Sequence, residues 1–157
     1  MKKLKVYLGI DISKKTMDVN VKNENGKEYE ERFDNTAKGF VKLEKWLNRK
    51  GLEKIHVCLE ATNVYWEDVA EYLYNIGFEV SVVNPARIKG YAQAKLKRNK
   101  TDKVDARTSR QFCASEKPEG WKPPTKEEKK LRSLMRRHES IKKIKSQELN
   151  RRADCKD

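Results

Sequence analysis

LKVYLGID, residues 4–11, alternates Val6, Leu8 and Ile10 with Tyr7, Gly9 and Asp11, the two-residue period of a strand with one apolar face. It closes on a carboxylate, where a side chain can reach past the sheet edge. Met17, Val19 and Val21 repeat the pattern, and Asn25-Gly26 supplies the left-handed turn chemistry of a tight hairpin. Residues 27–33 then return as a more polar strand. The chain thus opens as a three-stranded meander.

Helical spacing follows Asn35-Thr36, where Phe40, Leu43 and Leu47 share a face and Gly51 sits at the position of a C-terminal cap. Residues 54–60 (KIHVCLE) form a short buried strand. A second helix is expected from about Val64, burying Trp66, Val69, Ala70 and Leu73 and ending at Gly77. Phe78 to Val83 gives a further strand, stopped by Asn84-Pro85. Three strands followed by alternating helix and strand predict an α/β mixed sheet with helices packed on it. Ala86 to Asn99 is basic and helical before loosening around Lys97 to Lys100, and Thr101 is placed as the N-cap of a helix reaching Ser115.

Pro118, Gly120, Pro123 and Pro124 mark a linker, with Trp121 docking on the body. From Thr125 onward, Leu131, Leu134, Met135, Ile141, Ile144 and Leu149 trace a narrow apolar stripe on a charged helix. Such a stripe suits a partner helix, as in a coiled coil that makes a homodimer or higher oligomer, although His138 and Lys145 interrupt the heptad. The predicted organisation is an α/β domain over 1–117, a Pro-rich linker over 118–124 and a basic amphipathic helix over 125–157.

The formal net charge is +13, and its placement is informative. Residues 86–110 hold nine Lys or Arg against two Asp, and residues 125–157 hold twelve against six acids. These two stretches carry the entire excess, as expected for a local electrostatic footprint on a polyanion. Solvated lysine-rich helices are the plainer reading of the same charge. Cys58, Cys113 and Cys155 lack both disulfide-framework and zinc spacing. No apolar run approaches the ~20 residues that span a bilayer, and no signal-peptide core precedes the first strand, so a cytoplasmic protein without a membrane partner is expected.

Asp11 ends the first strand and Glu60 ends the fourth, so in a sheet where those strands are neighbours their carboxylates converge. Asp102 and Asp105, three apart, would share one face of a helix and complete the cluster. Gathered carboxylates raise one another's pKa unless a cation neutralises them. Hard oxygen ligands select magnesium or manganese, ions that clamp the attacking and leaving oxygens of a phosphodiester. Lys95, Lys97, Arg98, Lys100, Lys103 and Arg107 flank the last two acids, well placed to hold nucleic-acid phosphates. Singly, each acid has a plainer use: Asp11 in a turn with Ser13, Glu60 capping the next helix, Asp102 at a helix N-terminus.

YLGIDISKKTMDV (Tyr7 to Val19), CLEATNVYWEDVAEYL (Cys58 to Leu73) and VVNPARIKGYAQAKLKRNKTDKVDARTSRQF (Val82 to Phe112) resemble the N-terminal part of the DEDD-type insertion-sequence transposases. These are also known as bridge-RNA-guided recombinases, and their relatives include a bacterial DNA invertase. The likeness covers about residues 5–115, and its most specific segment is K-T-D-x-x-D-A at Lys100 to Ala106. The resemblance implies an RNase-H-like (RuvC-like) fold and a metal-binding catalytic tetrad of Asp11, Glu60, Asp102 and Asp105. It also implies DNA and a structured guide RNA as partners, held in part by the basic helix that carries Arg87 and Lys89. Residues 125–152 would begin the family's interdomain coiled coil. Family members continue into a C-terminal domain bearing a serine, and none of Ser13, Ser81, Ser109 or Ser115 sits in the matching context. A fragment incomplete for recombination is therefore expected.

Two other function classes fit the same residues. One is a nucleic-acid-binding and dimerising module without turnover; the other is a stand-alone junction-cutting nuclease of similar fold. His56 on an apolar strand reads as a packed core residue. Trp46, Trp66 and Trp121 read as core or docking residues before base-stacking ones. No phosphate-cradling glycine loop is present.

Overall fold

The structure, a computed structural model, describes residues 5–95 and 105–155. The strands are β1 (Val6–Ile12), β2 (Thr16–Lys22), β3 (Glu28–Asp34), β4 (Ile55–Glu60) and β5 (Glu79–Val83), and the helices are α1 (Ala37–Arg49), α2 (Glu67–Asn75), α3 (Pro85–Lys95), α4 (Ala106–Glu116) and α5 (Lys126–Asp154). The strands form one sheet in the order β3-β2-β1-β4-β5. The first three are antiparallel neighbours, whereas β1–β4 and β4–β5 are parallel. This is the RNase-H-like α/β arrangement, with the first strand at the centre of the sheet.

The alternation in β1 separates two layers. Val6, Leu8 and Ile10 pack with Leu43 and Leu47 of α1 and Val69, Ala70 and Leu73 of α2 in the main core. The opposite face carries Cys58 and Val83, closed over by Ile88 of α3 and Phe112 and Cys113 of α4. Thr36 starts α1 by accepting from the Gly39 amide, and Gly51 beyond its end has φ +65°, the left-handed geometry that glycine adopts without steric penalty. The second helix begins at Glu67, later than expected, with Trp66 at its N-cap and only half-buried.

Gly9 allows α4 to lie directly on β1. A Cβ on Gly9 would stand 2.0 Å from the Ala106 carbonyl oxygen and 2.4 Å from the Arg110 amide nitrogen. Both are backbone atoms, so no side-chain rotation relieves the clash. The expected linker is also partly anchored. The Trp121 amide donates to the Val80 carbonyl at 2.6 Å, and its ring meets Trp66 and Tyr74 edge-on. The first compact unit accordingly runs to Lys122. The second, from Pro123, contains α5, which opens on a reciprocal Thr125–Glu128 capping box and buries no residue. No helix among the described residues is long and apolar enough to cross a membrane.

His56 is a core residue, 1% exposed. Its Nε2 lies 2.8 Å from Ser81 Oγ, whose single proton goes to the Glu119 carbonyl at 2.7 Å or the Pro118 carbonyl at 3.1 Å. The serine therefore accepts from His56 Nε2–H, which leaves the unprotonated Nδ1 without a partner among the described residues. Burial pushes the imidazole below its ordinary pKa, opposed by the Glu79 carboxylate and aided by the Lys5 ammonium.

Two outcomes follow. Gly9→Ala must lift α4 off the sheet and should destabilise the fold by about 1–3 kcal/mol or more, read as a lower urea midpoint. Because the folded His56 pKa lies below that of the unfolded chain, acidification below about pH 6.5 protonates the unfolded state first and stability falls. Unfolding free energies at pH 7 and 5.5 should differ less in His56→Gln than in the wild type; equal differences would exclude His56 as the titrating group.

Candidate active site

The register arranges one face of the sheet in rows. Asp11 of β1 stands opposite Asp18 of β2, which stands opposite Arg32 of β3. On the other side Ile10 pairs with Leu59, so Asp11 and Glu60 occupy the next level of adjacent parallel strands, and Glu60 faces Val83 of β5. Residues two apart along a strand share a face. The row Glu60–Asp11–Asp18–Arg32 therefore lies on the α4 side, one step beyond the row Cys58–Gly9–Asn20–Glu30 on which α4 rests.

Asp18 was not anticipated as a neighbour of Asp11. Its charge is met by Arg32, whose Nε and an Nη donate to its two oxygens at 2.6 and 3.1 Å. That pairing relieves the repulsion between facing carboxylates. Glu60 accepts from the Thr62 hydroxyl at 3.0 Å. It does not cap α2, whose N-cap has no side-chain hydrogen bond.

Asp105 departs from the expected helical position. It is the N-cap of α4, with extended backbone (φ −112°, ψ 177°), and its Oδ1 accepts from the amide and the hydroxyl of Thr108, both at 2.9 Å. The cap satisfies an amide that the first turn would otherwise leave unpaired, and it fixes the start of the helix at Ala106 rather than after Thr101. Asp105 is therefore a capping residue with extended backbone rather than a residue within the helix. Because α4 presses on Gly9, its capping residue lines the same 340 Å³ cleft as Asp11, Asp18 and Arg32. Asp11 is thus brought together with Glu60 along the sheet and with Asp105 across the cleft. Thr101, Asp102, Lys97, Arg98, Lys100 and Lys103 lie outside the described residues. Among the described residues, no three His, Cys, Asp or Glu side chains gather as an ion-binding group.

The anticipated cations fall into two kinds. Arg87, Lys89 and Lys95 are exposed on α3; the Arg87 guanidinium lies 5.5 Å from the Phe112 ring centre and Lys95 Nζ 5.9 Å from that of Tyr91. Arg107 instead faces acids, with Nε donating to Glu28 at 2.8 Å and an Nη 3.6 Å from Glu30. Sequence reasoning missed the group this belongs to. Arg110, 8% exposed, donates to Asn20 Oδ1 at 2.6 Å, and the Asn20 amide donates to Glu28 at 2.8 Å and Glu30 at 2.7 Å. The Asn20 hydrogen bond, then Arg107 and Arg110, hold the Glu28 carboxyl below its usual range against the opposing effect of burial. This network ties the first turns of α4 to β2 and β3, and so fixes the helix start that carries Asp105.

The family profile described as a transposase, the IS110-type DEDD family, matches residues 8–155. The chain belongs to this family. Among curated proteins it is 36% identical over 141 residues to the pilin gene-inverting proteins of Moraxella lacunata and Moraxella bovis, covering 88% of this chain and 44% of each relative. It therefore spans less than half the length of those relatives. A solved structure of T. thermophilus RuvC in complex with Holliday junction substrate aligns with a TM-score of 0.44 and 14% identity, over 71% of this chain and 95% of that one.

Arg110→Met should leave the buried Asn20 oxygen unpaired and cost about 1–3 kcal/mol. Arg107→Met, at a half-exposed position, should cost less than about 1 kcal/mol. Urea unfolding of the two variants side by side checks the order.

Proposed function

We propose that this chain supplies the carboxylate site of a DNA recombinase that cuts and exchanges strands with the help of a divalent metal. The observation that carries this reading is the placement of Asp11 level with Glu60 on neighbouring strands, in a cleft it shares with Asp105. The donors fit the metal: all are carboxylate oxygens, the ligands preferred by magnesium and manganese. Asp11, Glu60 and Asp105 would hold the ion, with Asp102 as the fourth ligand. When bound, it supplies Lewis-acid activation of a phosphodiester.

The protein's own groups have separate tasks. Arg32 neutralises Asp18 and so keeps the charge beside Asp11 tolerable. The Asp105 cap commits one oxygen to Thr108, which fixes the orientation of that carboxylate. Arg87, Lys89 and Lys95 would hold DNA or a structured guide RNA by phosphate contacts, with Lys97, Arg98, Lys100 and Lys103, which lie outside the described residues, as further phosphate ligands. Arg107 would join them only by leaving Glu28 and Glu30. On α5, Leu131, Leu134, Met135, Ile141, Ile144 and Leu149 are all more than half exposed, and this stripe supports pairing with another helix in an oligomer.

Calorimetric titration with magnesium or manganese tests the site. Asp11→Asn and Glu60→Gln should each weaken binding at least about tenfold, since losing even an outer-shell partner of a metal costs about 10–100-fold, while circular dichroism stays unchanged. Wild-type affinity in both variants would remove the metal reading.

A further inference from the structure

A second cationic surface lies on α1, away from the carboxylates. Lys38, Lys42, Lys45 and Arg49 are all exposed. At 100° per residue they fall within about 60° of one another around the helix and span about 16 Å of its length. The acid of this helix, Glu44, points elsewhere and accepts from the Tyr72 hydroxyl. Along one side of the row runs an open groove between α1 and β3, bordered by Lys42, Lys45, Arg49 and the single acid Glu31, over the rings of Phe33 and Trp46.

Three features separate this row from a merely solvated face. First, several other cations of the unit are engaged: Lys5 by Glu79, Arg32 by Asp18, Arg107 by Glu28 and Lys50 by the Tyr29 ring at 4.6 Å. No ion pair to Lys38, Lys42, Lys45 or Arg49 is formed among the described residues. Second, α1 carries no acid in its first turn, where the helix dipole favours one, and instead presents Lys38 there against that dipole. Helix stability therefore does not account for this lysine. Third, the groove floor is closed to stacking. Phe33 and Trp46 are 8% and 9% exposed and meet edge to face at 5.7 Å, so they offer no platform for splayed bases.

We propose that this face of α1 binds the phosphate backbone of duplex DNA. A straight row of unpaired cations without an exposed aromatic matches a regular double-stranded backbone better than unstacked single strands. The proposal does not rest on the carboxylate reading, because α1 packs on the opposite face of the sheet from α4.

The test is duplex DNA binding by the 157-residue chain in EDTA, followed by fluorescence anisotropy across a salt series. Lys42→Gln, Lys45→Gln and Arg49→Gln combined should lower affinity at least about tenfold at low salt. The slope of log affinity against log salt should become shallower by about 2–3, at roughly 0.9 for each phosphate no longer neutralised. A charge-matched control, Lys54→Gln, Lys117→Gln and Lys122→Gln combined, should change the slope by less than half as much. An unchanged slope in the α1 variant, an equal loss in the control, or a loss confined to duplex RNA would overturn the proposal. Because chelator is present throughout, failure of the metal site leaves this result unaffected.

Discussion

The absence of one side chain governs the face of the sheet that carries Asp11. Helix α4 lies so close to the central strand that its backbone occupies the space a Cβ on Gly9 would take. From that approach the rest follows. The helix start is brought over the row that holds Asp11, its capping carboxylate enters the cleft, and Arg107 and Arg110 come within reach of the acids on β3. Close packing passes such a displacement on to its neighbours, so one methyl group at Gly9 would shift the cap, the arginine network and the cleft together.

Charge on this face is handled by pairing at fixed positions. Asp18 takes Arg32, and Glu28 takes Asn20 and the two arginines of α4. These contacts neutralise the acids that flank the site and attach the helix to the antiparallel half of the sheet. The parallel half contributes Glu60 through register alone. The proposed site draws on one carboxylate from each of β1, β4 and the cap of α4, so its geometry would depend on tertiary packing rather than on any local motif.

Much of this is legible in the chain. Two-residue alternation gives β1 and β2, Asn25-Gly26 gives the hairpin, and the Phe40, Leu43, Leu47 spacing gives α1. An isolated glycine inside a strand suggests close backbone approach, but in the alternation of β1 Gly9 reads only as one more step. The start of α4 at Ala106 is not legible because several residues ahead of it are competent N-caps by type, and local sequence does not single out Asp105. The pairing of Arg107 and Arg110 with residues of β2 and β3 spans some eighty or ninety positions, beyond what charge density along the chain can reveal. The α1 row escapes for a different reason. Outside residues 86–110 and 125–157 the chain balances as a whole, and that total hides a helix with four cations against one acid.

The two margins of the sheet are finished differently. At one, β3 turns Glu30, Glu31 and Arg32 to solvent. At the other, the Trp121 amide already satisfies the Val80 carbonyl of β5. An exposed strand margin is a template for adventitious pairing with another chain, and charged or occupied margins discourage it. Both margins of the closed sheet thus carry features that discourage edge-to-edge aggregation of newly made chains.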